Sequence, residues 1–216
     1  MPHIPAFVAL NADGVQLIVS LSSGTPVILH FGADLGSSLD VAALGLASQE
    51  AVPHADLDEH ISPGIWREDS RGFHGRPALL GQTNGQNWAP LFAIQGVTSD
   101  PDSIEIACVD QSAGLEIAVN YKLSKEGVLR VSQRVKNLSN ETYAVEELNA
   151  WLPLPDHVTE TMDFTGRWVK ERQPQRREIQ AGTWSREIRE GRSGHDYTIV
   201  QLAMTKDANY QRGEVW

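Results

Sequence analysis

Residues 104–135 read IEIACVDQSAGLEIAVNYKLSKEGVLRVSQRV, and this stretch decides the fold class. Apolar and polar side chains alternate along three runs. Two short segments rich in turn-forming residues, Asp110–Gly114 and Ser124–Gly127, separate the runs. A period of two residues is typical of strands with one buried face, and short breaks that contain glycine are typical of hairpins. The stretch therefore predicts an antiparallel meander of three strands.

Strand-like runs continue on both sides of the meander. Strands are predicted at four further places, Val15–Leu21, Pro26–Phe31, Tyr143–Leu154 and Tyr197–Met204, and one short helix is predicted at Leu39–Ala47. Many short strands with so little helical pattern favour a β-sandwich. Gln49–Pro90 has no sustained period and is predicted to be an ordered irregular loop, because its aromatic residues argue against disorder. We predict an all-β fold, a single large antiparallel β-sandwich domain over residues 1–216 with few short helices.

Charge and composition exclude several classes of protein. The 216 residues carry 18 lysines and arginines against 28 aspartates and glutamates, a formal net charge of −10. Nucleic acids and anionic membranes need a basic surface, so neither is expected as a partner. No signal-like N-terminus and no apolar run near 18 residues is present, and the single cysteine, Cys108, excludes a disulfide framework. These features predict a soluble cytoplasmic protein.

The motifs of common catalytic chemistry are absent from the sequence. It contains no glycine-rich phosphate loop, no His-Glu-x-x-His pair and no nucleophile elbow. His54 and His60 lie near Asp56 and Asp58 and could hold a metal ion, but acidic loops with histidines are more often simply solvated. We therefore predict no metal site and no cofactor.

The segment Arg167–Arg192 has the most unusual composition in the chain. Eight basic residues and four acidic ones surround Trp168 and Trp184, in a protein that is acidic overall. Such a segment could dock onto an acidic partner, or it could bind a sugar by stacking tryptophan faces on it. It could also be a solvated hairpin with both tryptophans packed beneath it, and composition alone favours this last interpretation.

Four motifs, in order along the chain, resemble the N-terminal domain of glycoside hydrolase family 36, whose members are chiefly α-galactosidases. Phe164–Arg172 and Glu187–His195 resemble a Gly-x-Trp-x-x-Glu-Arg segment and the Gly-x-Ser-Ser-His-like segment that follows it in the family. Arg212–Trp216 resembles the family's Gly-Glu-Val-Tyr/Trp, and Arg76–Ala78 followed by Trp88 resembles an altered upstream motif. The upstream motif here lacks the acid that commonly precedes Phe-Arg in the family.

The resemblance implies a β-supersandwich that forms the N-terminal part of a longer chain, followed by a (β/α)8 barrel and a smaller C-terminal β-domain. Family members hydrolyse terminal α-galactosides with retention, using two aspartates of the barrel. We therefore expect no catalytic residue in this chain and no turnover by it alone. The expected partners are an α-galactoside or galactose, the barrel of the same polypeptide and further copies of the chain in a homo-oligomer.

The same resemblance implies which residues bind substrate. Trp168 matches a family tryptophan that helps to close the galactose pocket of a neighbouring subunit, with burial in the sandwich as the alternative. The aspartate that contributes beside it matches Asp58, or else Asp56. A carboxylate that accepts hydrogen bonds from vicinal hydroxyls suits such a pocket. Glu171 and Arg172 are expected to pair with each other or to brace the loop.

Other functions remain open on the residues alone. The chain could be a carbohydrate-binding module, with Trp66, Trp88 or Trp168 as exposed stacking platforms. It could also be a structural or interaction domain that binds no ligand.

Overall fold

The computed structural model describes residues 4–49, 62, 64–187, 194 and 199–216. These residues form twelve strands, one α-helix and a short 3-10 helix, which confirms the all-β fold. The strands are β1 Phe7–Ala12, β2 Val15–Ser20, β3 Val27–Ala33, β4 Leu79–Gln82, β5 Ala93–Ser99, β6 Ser103–Asp110, β7 Leu115–Leu123, β8 Leu129–Asn137, β9 Ala144–Leu148, β10 Glu160–Arg167, β11 Lys170–Glu178 and β12 Leu202–Met204; the helices are α1 Val41–Ala47 and the 3-10 helix Asp69–Arg71.

The chain forms two compact units, residues 1–153 and residues 154–216. The described residues of the first unit form three sheets with the strand orders β1-β2-β3, β5-β6-β7-β8 and β4-β9, and those of the second form one sheet with the order β11-β10-β12. All strand pairs are antiparallel. The predicted meander is confirmed as β6, β7 and β8, with Ile117 opposite both Cys108 and Val135.

The core of the first unit lies between its three-stranded and four-stranded sheets. Strand β1 packs against β6 and β7, and alternate residues of these strands point inward. Fully buried side chains come from both sheets and include Leu10, Leu17, Ile104, Ile117 and Tyr121. The period of two residues is therefore the direct result of burial on one face.

Two turns of the first unit each contain an aspartate: Asp13 has a left-handed backbone conformation, and Asp110 is buried. Asp13 and Gly14, with φ values of 48° and 75°, form the two-residue connection between β1 and β2, as expected for the primed turns of tight hairpins. Asp110 ends β6, and its carboxylate accepts hydrogen bonds from the backbone N–H groups of Leu91, Ser112 and Ala113. Burial opposes ionisation of Asp110, but these bonds and one from the Ser112 hydroxyl lower the pKa of its carboxyl below the usual value.

The remaining predicted elements are found with shifted bounds. Strands β2, β3, β9 and β12 fall in the four predicted runs, although Tyr197 and Thr198 lie outside the described residues. The predicted helix is α1, capped by the Asp40 carboxylate, which accepts from the N–H groups of Ala42 and Ala43. Residues 50–61 and 63 of the predicted loop Gln49–Pro90 lie outside the described residues, and its described part is not wholly irregular because it contains β4. This short strand pairs with β9, more than sixty residues further along the chain, and local periodicity does not reveal such a pairing.

The second unit is built around the long hairpin of β10 and β11. Strand β12 pairs with the other side of β10, and residues 214–216 pair in turn with residues 203–205 through backbone hydrogen bonds. Neither β10 nor β11 is predicted from the sequence pattern, since β11 reads KERQPQRRE and has no apolar alternation.

Candidate functional site

The tip of the hairpin between β10 and β11 exposes the tryptophan that the resemblance assigns to substrate binding. Arg167 pairs with Lys170, so the connection consists of Trp168 and Val169. The side chains of Trp168 and Val169 are 76% and 79% exposed. Burial of Trp168 in the sandwich, the alternative left open by the sequence, is therefore wrong.

A carboxylate at the start of β11 braces this tip. Glu171 Oε1 accepts a hydrogen bond of 2.9 Å from the backbone N–H of Val169, which confirms the expected bracing role. Val169 and Arg172 both have positive φ, at 66° and 54°, and the strand register shifts between Thr165 and Arg167. The bond from Glu171 thus supports a backbone conformation that β-branched valine seldom adopts.

A buried aspartate anchors the segment that follows the hairpin. Asp163 on β10 is only 1% exposed, and its two carboxylate oxygens accept from Arg177 Nη2 at 2.9 Å and Arg186 Nε at 2.7 Å. Burial opposes its ionisation, but the hydrogen bonds from Arg186 and Arg177 outweigh burial and lower the pKa of Asp163. Asp163 is therefore ionised, and its carboxylate links β11 to Arg186.

Trp184 contacts the same two arginines. The Cζ atom of Arg177 is 3.7 Å from the centre of a Trp184 ring, and that of Arg186 is 5.3 Å away. Guanidinium groups at such distances are attracted by the π face of the indole. Trp184 thus helps to order two arginines of the second unit.

Arg176 forms the other end of this anchoring network. Its guanidinium pairs with the buried carboxylate of Glu160 and donates to the backbone carbonyls of Thr205, Lys206 and Ala208. One side chain of β11 therefore reaches across β10 to the loop that follows β12. The body of the hairpin is fixed by ionic contacts on both faces, while its tip projects into solvent.

This arrangement suits binding and does not suit bond cleavage. Glycoside hydrolysis requires two carboxyl groups that flank the scissile bond. Glu171 is the carboxylate of the tip segment, residues 167–172, and it is engaged with the backbone of Val169. The most exposed aromatic side chain of the tip segment is that of Trp168.

The two aspartates expected beside Trp168, Asp58 and Asp56, lie outside the described residues, as do His54 and His60. Of the other candidate tryptophans, Trp66 is 1% exposed and packs on Phe92. It is therefore a core residue, and its predicted use as an exposed platform is wrong. Trp88 is 62% exposed.

The arginine of the upstream motif makes a structural contact. Arg76 donates hydrogen bonds from Nε and Nη2 to the two carboxylate oxygens of Glu147 on β9. Hydrogen bonds from Arg76 and Asn149 lower the pKa of Glu147 to about 2. The motif thus links the segment before β4 to the strand with which β4 pairs.

Comparison with known families identifies this domain. A sequence model described as the glycosyl hydrolase family 36 N-terminal domain matches residues 24–216. The chain belongs to this family.

Two curated relatives of this family 36 N-terminal domain are α-galactosidases. The chain is 27% identical to an α-galactosidase of Escherichia coli over 187 residues, which cover 87% of the chain and 25% of that protein. It is 27% identical to the α-galactosidase AgaA of Geobacillus stearothermophilus over 148 residues, which cover 68% of the chain and 19% of that protein. The chain spans a quarter or less of the length of these relatives.

Solved structures share the fold of the family 36 N-terminal domain. The α-galactosidase AgaB of Geobacillus stearothermophilus superposes with a TM-score of 0.79 at 18% identity, over 97% of this chain and 32% of that one. A variant of AgaA in complex with raffinose superposes with a TM-score of 0.74 at 19% identity, over 97% of this chain and 33% of that one. At these identities the likeness shows the fold alone.

Neither a metal-binding cluster nor a membrane-spanning helix is found among the described residues. No group of three or more histidine, cysteine, aspartate or glutamate side chains there is arranged to hold a metal ion. In the same part of the chain, no helix has the length and apolar character needed to cross a membrane.

Sequence reasoning missed the anchoring residues of the family 36 domain. Asp163 stands between Met162 and Phe164, and an acid at that place in a strand is a signal for a buried ion pair. Its partners, Arg177 and Arg186, lie 14 and 23 residues further along the chain. Among so many arginines, only the folded structure shows which of them reach the acid.

Proposed function

We propose that this chain is the N-terminal domain of a cytoplasmic, retaining α-galactosidase that hydrolyses terminal α-galactosides. The observation that carries the proposal is the family match over residues 24–216, supported by two relatives that are both α-galactosidases. In this proposal residues 1–216 act as one domain of a longer polypeptide, and the two catalytic aspartates belong to its (β/α)8 barrel.

The contribution of this domain is to close the galactose pocket within a homo-oligomer. Trp168 supplies an apolar face against the sugar, and Asp58, or else Asp56, accepts hydrogen bonds from its hydroxyls. Support for the role of Trp168 comes from its 76% exposure at a tip braced by Glu171. Because Asp163 and Arg176 fix the base of the hairpin, the indole is presented with little loss of conformational freedom on binding.

The test is made on the whole polypeptide that the source gene encodes. We expect it to release galactose from raffinose, whereas residues 1–216 alone release none. Trp168→Ala should raise KM at least about tenfold, as for the loss of an aromatic anchor in a binding site. Val169→Ala, at the adjacent exposed position, is the matched control and should leave KM unchanged.

Two outcomes would contradict the proposal. Absence of galactose release by the whole polypeptide would refute the activity. Equal KM values for Trp168→Ala and Val169→Ala would refute the role of Trp168 while leaving the activity in place. Light scattering on the same preparation measures the oligomeric state. A monomeric mass would refute the contribution of this domain to the pocket of a neighbouring subunit.

A further inference from the structure

A second exposed tryptophan, Trp88, lies in the first unit beside a rigid turn. Thr83 and Gln86 exchange two backbone hydrogen bonds of 2.8 Å. Between them Asn84 and Gly85 have φ values of 47° and 80°, which is the Asn-Gly pattern of a type I′ turn. Trp88 lies two residues after Gln86 and is 62% exposed. The turn therefore presents this indole on a fixed backbone.

A small pocket opens at the base of Trp88. Trp66, Asp69, Pro77 and Phe92 line it together with Trp88, and its volume is about 10 Å³. This volume accepts about one water molecule or one hydroxyl oxygen, and it excludes a whole sugar ring. The indole N–H of Trp66 is buried and has no acceptor in the described part of the chain. One of the residues that line the pocket therefore carries an unused donor.

The polar groups around Trp88 are of the kind that bind hydroxyls. The segment 82–90 reads QTNGQNWAP and contains no charged residue. The side-chain amides of Asn84, Gln86 and Asn87 make no hydrogen bond within the described ranges, and each offers a donor and an acceptor. Asp69, at the pocket, adds a carboxylate that can accept from two vicinal hydroxyls.

We propose that Trp88, Asp69 and the amides of residues 84–87 form a carbohydrate-binding surface for a neutral oligosaccharide. The apolar face of a sugar ring stacks on the Trp88 indole, one hydroxyl enters the small pocket, and Asp69 with the amides binds the neighbouring hydroxyls. A neutral ligand is favoured because the amides carry no charge, and the Asp69 carboxylate disfavours anions such as nucleic acid. This surface belongs to the first unit, whereas Trp168 belongs to the second.

The surface is tested on the 216-residue chain with stachyose, a neutral tetrasaccharide, as the probe. The six tryptophans give separate indole N–H signals in ¹⁵N-labelled protein, and Trp88→Phe assigns the signal of residue 88. We expect stachyose to shift this signal in a saturable way. Trp88→Ala should weaken the affinity, measured by calorimetry, at least about tenfold. Tyr210→Ala, the control at an exposed aromatic side chain outside this surface, should retain it.

Conservative variants test the polar groups. Asp69→Asn removes the carboxylate charge, and Asn87→Gly removes an amide while keeping the positive φ of 57° accessible. Each should weaken stachyose binding at least threefold with an unchanged thermal midpoint. Unchanged affinity in both variants would overturn the assignment of these side chains.

Other results would overturn the surface itself. They are a shift of the Trp168 signal alone, no saturable shift at any tryptophan, or binding of a proline-rich peptide in place of stachyose. Burial of Trp88 against further chain in the whole polypeptide, detected as lost accessibility to acrylamide quenching, would also overturn it. A failure of this surface leaves the proposed α-galactosidase activity intact, because that activity is measured by galactose release and by Trp168→Ala.

Discussion

Replacement of Asp163 by asparagine should destabilise the second unit strongly. Asparagine has nearly the same size, but it presents an N–H₂ group to one of two arginines that previously donated to a carboxylate oxygen. Breaking a buried ion pair costs about 3–5 kcal/mol because the remaining charge stays buried. The two arginine side chains keep 25% exposure and regain part of their hydration. We therefore expect a loss of about 3 kcal/mol.

The assay is urea unfolding at pH 7, followed by circular dichroism and tryptophan fluorescence. Asp207→Asn is the matched control in the same unit. Its carboxylate is 63% exposed and lies 3.8 Å from Arg212, so it should change stability by less than about 0.5 kcal/mol. A double-mutant cycle of Asp163→Asn with Arg186→Gln should give a coupling energy of about 1–3 kcal/mol.

The effect of Asp163 should also depend on pH in one direction. Because the pKa of the folded protein lies below the usual value near 3.8, the stabilisation is fully present above that value. It is lost as the pH falls through the lower pKa of the folded state. The difference between wild type and Asp163→Asn should therefore be constant from pH 7 to 5 and shrink below pH 4. A loss under about 1 kcal/mol at pH 7, or an additive cycle, would refute the anchoring role.

Three further predictions concern the first unit. Trp66→Ala should cost about 3–5 kcal/mol in urea unfolding, as for a large core aromatic; a loss below about 1 kcal/mol would contradict its place in the core. Gly81→Ala should cost about 1–3 kcal/mol, because a Cβ there would lie 2.5 Å from Cε1 of Tyr143. Gly96→Ala, with open space around it, should be neutral or slightly stabilising. Equal effects of the two substitutions would argue against this packing. Burial raises the pKa of Glu68, so the stability that this group contributes at low pH is lost as the pH rises above about 4.5. Wild type should therefore lose stability relative to Glu68→Gln between pH 4 and 7. Parallel stability curves for the two proteins would contradict the shift.

The sequence predicts the meander well because its alternation is a direct consequence of burial. Ile106 and Ile117 are fully buried, whereas Glu105 and Glu116 beside them are only partly buried. By contrast, β11 is a strand because β10 pairs with it, and no apolar period marks it. Local pattern cannot reveal a strand of this kind.

The candidate site is only partly readable from the residues. Composition marks the basic segment but does not distinguish an indole at a hairpin tip from one in the core. Trp168 is exposed, Trp66 is buried, and Trp184 contacts two arginines. The resemblance to a family suggests the proposed role of Trp168, whereas the partners of Asp163 are seen only in the folded structure.

The composition of β11 also bears on self-association. In the described part of the chain β11 forms the outer edge of its sheet, where exposed backbone groups invite a strand of another molecule to add. Six of its nine residues are charged, and Pro174 at its centre has no N–H to donate. The same charged residues and proline that remove the apolar pattern from β11 therefore disfavour the addition of a strand from another molecule at this edge.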